Sequence, residues 1–257
     1  MLNNIFQIAL NTYRESVRGK VLYSLLFFSV ALVIISAVFG AVTIGDQIII
    51  IKDFGLASLS LFAVTLAVIS GASLLHKELY RKTVYNILAK PVPRWQFLVG
   101  KHLGLLFTVL LMIILMAIGL VLFIFFFEQK IDWLIFQAAL FVIFELIIIT
   151  AFAIFFSAIV VTPALAGLFT FSAFLAGRSV EFIPELIKIA GNGETSPILE
   201  IIYWVLPHLD KLNINNQIVY GQGATFEQLI FSFCYSIGYS ATLIMIGSFF
   251  FRNRDFN

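Results

Sequence analysis

Apolar residues run along this chain in blocks too long and too uniform for the alternating or one-in-three patterns of a water-soluble fold. Six stand out, at about 21–44, 54–76, 100–127, 133–157, 159–178 and 227–251, with hardly a charge inside them. Each meets the roughly 17 to 25 residues that a helix needs to cross a hydrocarbon layer about 30 Å thick. Backbone polar groups in hydrocarbon must be satisfied within the segment, so blocks of this length predict helices. The fourth and fifth blocks are nearly continuous. Between Ser157 and Pro163 the proline cannot extend the backbone ladder, which favours a tight turn between two spans.

Residues 1–20 read differently. Ile5, Phe6, Ile8, Ala9, Tyr13 and Val17 recur at helical spacing, with Asn3, Asn4, Gln7, Asn11, Arg14 and Arg18 between them. This predicts an amphipathic helix in the membrane interface whose stripe leads directly into the first block. Ala37, Gly40 and Ala41 resemble a signal-peptide cleavage site. Cleavage is nevertheless not expected, because the leader with Arg14, Glu15, Arg18 and Lys20 is long and the block behind it is long enough to span.

Composition agrees with the pattern. The chain is 61% hydrophobic and 12% charged, whereas soluble domains run near half and a quarter, so lipid is its solvent. The net charge of +2 gives no basis for a nucleic-acid partner, and none is expected. Its distribution says more. One side of the predicted bundle carries Arg14, Arg18, Lys20, Lys77, Arg81, Lys82, Lys90, Arg94, Lys101, Arg252 and Arg254; the other carries only Lys52, Lys130, Arg178, Lys188 and Lys211 among many carboxylates. That bias predicts a multi-pass protein of the cytoplasmic membrane with both termini in the cytoplasm. The single Cys234, inside an apolar stretch, excludes an intrachain disulfide and reads as a small packing residue.

Two connections exceed a turn: 77–99 on the predicted cytoplasmic side and 178–226 on the external side, both within a single membrane domain. In the first, Leu79, Thr83, Asn86, Ile87 and Lys90 fall on neighbouring turns of a short helix that Pro91 and Pro93 would stop. A stiff protruding element can pass a push from a cytoplasmic partner to the spans. It can equally be a basic anchor on anionic lipid.

The stretch containing Glu78, Arg81-Lys82-Thr83, Leu88-Ala89-Lys90-Pro91-Val92-Pro93-Arg94 and Phe97-Leu98-Val99-Gly100-Lys101 resembles the permeases of ATP-binding-cassette type-2 exporters, most of all the nitrous oxide reductase maturation permease subgroup. The similarity also takes in the N-terminal helix, the Glu145 span, Ser157 and the terminal run Phe250-Phe251-Arg252-Asn253-Arg254-Asp255. It implies an all-α permease with six transmembrane helices, an interfacial helix, a cytoplasmic coupling helix and short external re-entrant helices. Glu78, Leu79, Tyr80, Arg81, Lys82, Thr83, Leu88, Lys90, Pro91 and Arg94 would meet the ATPase. ATP and magnesium would then be held by a separate ATPase subunit, no cofactor by this chain, and a second permease subunit, identical or a paralogue, would complete the complex.

Further candidates lie in the spans. Glu145, in the middle of the fourth, costs at least about 2.5 kcal/mol if ionised in hydrocarbon, so it should face the bundle interior or a wet cavity. It is either a proton- or substrate-linked group or a carboxyl bonded to a neighbouring helix. Ser232, Ser236 and Ser240 recur every four residues beside Gly238 and Thr242, which suits close helix packing or, more sharply, a polar transport path including Ser236 and Ser240. Outside, Ile183 to Ile189 and Ile198 to Pro207 are apolar but too short to span, with Tyr203 and Trp204 at headgroup level. By the resemblance, Tyr203, Trp204 and Pro207 would belong to an external gate. His208 and Asp210 are too weakly spaced for a metal pair, and a surface turn is the expectation.

Gly100-Lys101 lacks the other residues of a phosphate-binding loop, and no His-Glu-x-x-His or Gly-x-Ser-x-Gly occurs. The expected function is a membrane permease subunit that exports a solute using ATP hydrolysed elsewhere. Two rivals remain: a non-transporting anchor that couples an ATPase to an envelope assembly, and an intramembrane enzyme built on Glu145 with His208 or Asp210.

Overall fold

A computed structural model of the chain describes residues 2–42, 47–80, 93–190 and 195–252. Among them the fold is entirely helical. The N-terminal helix α1 (Leu2–Val17) is followed by α2 (Lys20–Val42) and α3 (Gln47–Tyr80); α4 (Arg94–Glu128) and α5 (Leu134–Ile159) form an antiparallel pair, and α6 (Pro163–Arg178) turns back along α5 and α3. A 3-10 turn at Val180–Phe182 leads to the short helices α7 (Ile183–Ala190) and α8 (Thr195–Val205), then a second 3-10 turn, α9 (Asn215–Val219) and the last long helix, α10 (Phe226–Arg252).

Five helices, α2, α3, α4, α5 and α10, are long and apolar enough to cross a membrane. The expected fifth span is the exception. α6 has only 16 residues, about 24 Å at 1.5 Å per residue, and reaches a span's length only together with the segment to Lys188, from which it is bent by 43°. The count is therefore five spans, or six if that bent pair is one. The turn before α6 falls where Pro163 predicts it: Val160 leaves α5 in extended conformation, Thr162 caps α6 by accepting from the Leu165 N–H, and Pro163 takes the first helical position, where its missing N–H costs nothing.

α5 is the axis of the bundle, packing against α3, α4, α6 and α10. Of its most apolar stretch 72% is buried, against 28% for α2, which leaves Phe27, Val38 and Val42 facing outward. An apolar side chain gains nothing by moving from lipid to another helix, so what distinguishes the core is shape. Small residues mark it: a β-carbon at Gly55 would strike Leu120, and one at Gly177 would strike Leu209.

Two expectations need correction at this level. The N-terminal stripe does not run on into the first block. The helix ends at Val17, Gly19 donates its N–H to the Ser16 carbonyl, and a new helix starts at Lys20. Nor is Cys234 a packing residue; it is exposed on the outer side of α10, because the serine face of that helix points inward instead.

Candidate functional site: the coupling base and an intramembrane ion pair

The segment expected to meet an ATPase lies mostly outside the described residues, which omit Arg81, Lys82, Thr83, Leu88, Lys90 and Pro91. What leads into and out of it is described. α3 continues as one helix through His76 to Tyr80, so its backbone carries Glu78, Leu79 and Tyr80 beyond the buried part of the span. At 34 residues it measures about 51 Å, well over a bilayer's hydrocarbon thickness.

His76 fixes the depth at which α3 leaves the bundle. Its Nε2 lies 3.0 Å from the Val160 carbonyl, which follows the end of α5, and its Nδ1 lies 3.0 Å from the Ala72 carbonyl and 3.3 Å from the Ser157 hydroxyl. Ser157, fully buried, also donates to the Ala72 carbonyl at 3.3 Å. The end of α3 and the end of α5 are thereby joined by side chains far apart in sequence.

On the other flank α4 begins at Arg94, directly after Pro93. The Arg94 guanidinium donates to the Phe251 carbonyl at 2.5 Å and lies 5.8 Å from the Phe251 ring, which stacks on Phe97 at 6.2 Å; Lys101, buried, places its ammonium 5.7 Å from the Phe97 ring. Arg94 therefore clasps the end of α10 to the first turn of α4. One turn further on, α1 crosses α4. A β-carbon at Gly100 would come within 2.8 Å of the Ile8 side chain, and one at Gly104 within 2.5 Å of the Ala9 carbonyl oxygen. Ala9 and Thr12 are buried there, the Thr12 hydroxyl returning to the Ile8 carbonyl at 2.9 Å. The small faces Gly100/Gly104 and Ala9/Thr12 were readable at four- and three-residue spacing, and sequence reasoning missed them by treating Gly100 only as part of the coupling pattern.

The second constellation lies deep in the bundle. Glu145 is fully buried about 16 Å along α5 from Leu134 and about 21 Å from Ile159. Its carboxylate receives two bonds from Arg178, Nε to Oε1 at 2.7 Å and Nη2 to Oε2 at 2.8 Å. Ser60 of α3 completes the group, accepting from Arg178 at 2.8 Å and donating to Glu145 at 3.5 Å. The guanidinium also sits 5.5 Å from the Phe174 ring. A two-pronged pair of this kind is the geometry in which arginine most fully compensates a buried carboxylate. Arg178, assigned above to the external loop, is thus the last residue of a short helix ending deep in the bundle, where the carboxylate holds it.

A helix end at that depth leaves carbonyls without partners, tolerable only where other protein covers them. The segment between α8 and α9 does so. Leu209 donates its N–H to the Gly177 carbonyl at 3.2 Å while its side chain fills the space beside Gly177, and Pro207 is buried against the same site. The segment is anchored in turn to α10: the His208 N–H donates to the Tyr235 hydroxyl at 2.9 Å, and the Tyr239 hydroxyl donates to the Val205 carbonyl at 3.0 Å. Tyr203 packs its ring 4.6 Å from that of His208, whereas Trp204 is 80% exposed. Of the three expected gate residues, then, Pro207 and Tyr203 are packed and Trp204 points outward. No group of three or more metal-ligating side chains exists among the described residues.

Ser236 and Ser240 are buried, and their hydroxyls return to their own helix, at Ser232 and Ile237 respectively. At the opposite end of the bundle from His76, Lys52 and Asp132 pair at 2.7 Å, tying α3 to the turn before α5, and Gln137 makes two bonds with the Ala224 backbone ahead of α10.

A family model described as ABC-2 family transporter protein matches residues 6–256. Nearly the whole chain is covered, so the protein belongs to that family. It is a multi-pass membrane permease subunit of an ATP-binding-cassette transporter, a class whose members work with an ATP-binding-cassette ATPase. Among curated proteins, no sequence matches the chain.

Proposed function

We propose that this permease exports a solute across the cytoplasmic membrane, with both termini in the cytoplasm, driven by ATP and magnesium bound on a separate ATPase that docks on the segment around residues 77–93. A second permease subunit, identical or a paralogue, completes the pathway. The observation that carries the reading is the convergence of α1, α3, α4, α5 and α10 on the two flanks of that segment, through His76, Ser157, Arg94, Phe251 and Gly104. A push there reaches five helices at once. Glu78, Arg81 and Lys82 make first contact with the ATPase, with Leu79, Tyr80, Thr83, Leu88, Lys90 and Pro91 beside them. The narrower likeness to the nitrous oxide reductase maturation permeases rests on the run from Leu88 to Arg94 and Phe97 to Lys101.

In this reading the Glu145–Arg178–Ser60 group is a clamp rather than a binding site for solute, since each charge is already compensated. It holds a fixed point deep in the bundle about which the cytoplasmic ends of the helices move. Tyr203, Trp204 and Pro207 form the external gate, coupled to the clamp through Leu209 and Gly177. Ser236 and Ser240 stand beside the transport path.

The test is a pull-down of tagged protein from solubilised membranes of the native host, wild type against Glu78→Ala/Arg81→Ala, followed by ATPase assay. Recovery of a nucleotide-binding subunit with the wild type, and its loss with the variant, is expected. An ATPase that binds equally well without these side chains, or none recovered with folded protein, overturns the docking assignment.

A further inference from the structure

A cavity of 360 Å³ lies between the 3-10 turn at Asp210–Leu212 and the first turns of α10, with Phe141 of α5 in its wall. It belongs to neither constellation described above. Ser232, also in the wall, is about 9 Å along α10 from Phe226, and Phe141 is about 10 Å along α5 from Leu134, so the cavity sits near the ends of these helices that lie away from His76. Pockets of this size hold small ligands.

Its polar groups are uncompensated. Asp210 and Lys211 both line the cavity, and neither takes part in an ion pair among the described residues, whereas Glu145 and Asp132 are each met by a basic side chain. Asp210 Oδ1 is closed off from water without a hydrogen-bond partner. That atom need not be touched for its charge to matter. A carboxylate shares its charge over two oxygens and acts through space, most strongly where water is scarce. Ser232 adds a further unmatched group: it is only 5% exposed, and unlike those of Ser236 and Ser240 its hydroxyl makes no hydrogen bond among the described residues.

The pair of charges chooses the ligand. A simple cation would be drawn to Asp210 and repelled by Lys211, and a simple anion the reverse; a zwitterion answers both and enters with no net charge. A metal ion would find one carboxylate with a lysine beside it, too few ligands to hold it. Aromatic rings make up another part of the wall. Phe141 is buried, and Phe231 and Tyr235 stack at 6.3 Å with their planes 9° apart. A hydrocarbon side group fits against these rings.

We propose that this cavity binds a small zwitterion with an apolar side group, its ammonium facing Asp210, its acid group facing Lys211 and its side group lying against Phe141, Phe231 and Tyr235. An apolar amino acid is the simplest molecule of this kind. The Ser232 hydroxyl, donor and acceptor at once, can bond either charged end. The site depends neither on the ATPase nor on the direction of transport.

The experiment measures binding of radiolabelled L-leucine to the full chain in phosphatidylglycerol nanodiscs, a lipid without an ammonium. Three analogues compete: 3-methylbutylamine lacks the acid group, 4-methylpentanoate lacks the ammonium, and glycine lacks the side group. Each should compete about tenfold less well than unlabelled leucine, the worth of one charge-assisted contact or of a buried side group. Asp210→Asn and Lys211→Gln should each weaken leucine binding about tenfold. Lys211→Glu should reverse the preference and make 3-methylbutylamine the tighter ligand, a change that loss of structure would not produce. Phosphatidylethanolamine carries the same two charges; added to the nanodisc, it displaces leucine if the natural occupant is a lipid headgroup and leaves it bound if the occupant is a free solute. Absence of saturable leucine binding overturns the proposal. So does equal competition by either singly charged analogue, or unchanged affinity in both Asp210→Asn and Lys211→Gln. None of these outcomes bears on the pull-down.

Discussion

Arg178 and Arg94 each end up against a phenylalanine ring, yet they do different work. Arg178, its side chain 22% exposed, reaches in from the end of α6 to a fully buried carboxylate that it grips at both oxygens, steadied by Ser60. Arg94 sits at the first turn of α4, and its contacts include a backbone carbonyl and the face of Phe251. For a carboxylate with no exposed surface, nothing less than a full counter-charge with matched hydrogen bonds compensates the burial. Near the membrane surface, water and weaker partners suffice, and contacts of that kind can be remade when helices shift. The contrast separates a part of the fold that must stay put from a part that can move.

The sharpest way to break this contrast is to remove one side of the deep pair. Glu145→Ala should destabilise the protein by about 3–5 kcal/mol, because Arg178 is left charged and unmatched. Thermal unfolding in detergent measures it. Glu145→Leu combined with Arg178→Met should recover most of that loss, and ATPase stimulation with it; a double variant that folds but no longer couples would make the pair part of the transport step instead of a clamp. The next effect in size belongs to the crossing of α1 and α4. Gly104→Leu drives a side chain into the Ala9 carbonyl and should cost about 1–3 kcal/mol while loosening α1, seen as faster proteolysis of the N-terminus with the spans intact.

Smaller effects are expected at the coupling base. Ser157→Ala removes a hydroxyl between His76 and the Ala72 carbonyl and should cost about 1 kcal/mol, read from the same unfolding curves. Arg94→Lys keeps the charge but loses the planar stacking on Phe251, for a loss of about 0.5–1 kcal/mol. Should Arg94→Lys prove as damaging as Glu145→Ala, the distinction between a fixed and a movable region would fail.

Much of the architecture was legible because the membrane imposes a simple rule on length and polarity. The long blocks gave the five spanning helices, and Pro163 marked the turn before α6. Glu145 could be singled out from its cost alone. Its partner could not, since an arginine at the end of an apolar block looks the same whether the block ends at the surface or deep inside, and only the shortness of α6 hinted at the second. His76 and Ser157 are 81 residues apart and their meeting leaves no local pattern.

By itself, the sequence determined that this is a lipid-solvated bundle of helices and a type-2 permease, because transfer free energy sums over each block residue by residue and the family's residue pattern is contiguous along the chain. Tertiary structure alone decided that the fifth block is a short helix whose last residue pairs with a buried carboxylate, that the segment around Leu209 caps it, and that α1 is keyed into two glycines of α4. Those outcomes depend on which surfaces fit closely enough to satisfy polar groups in the absence of water, and that fit is a property of pairs of helices rather than of any one stretch of chain.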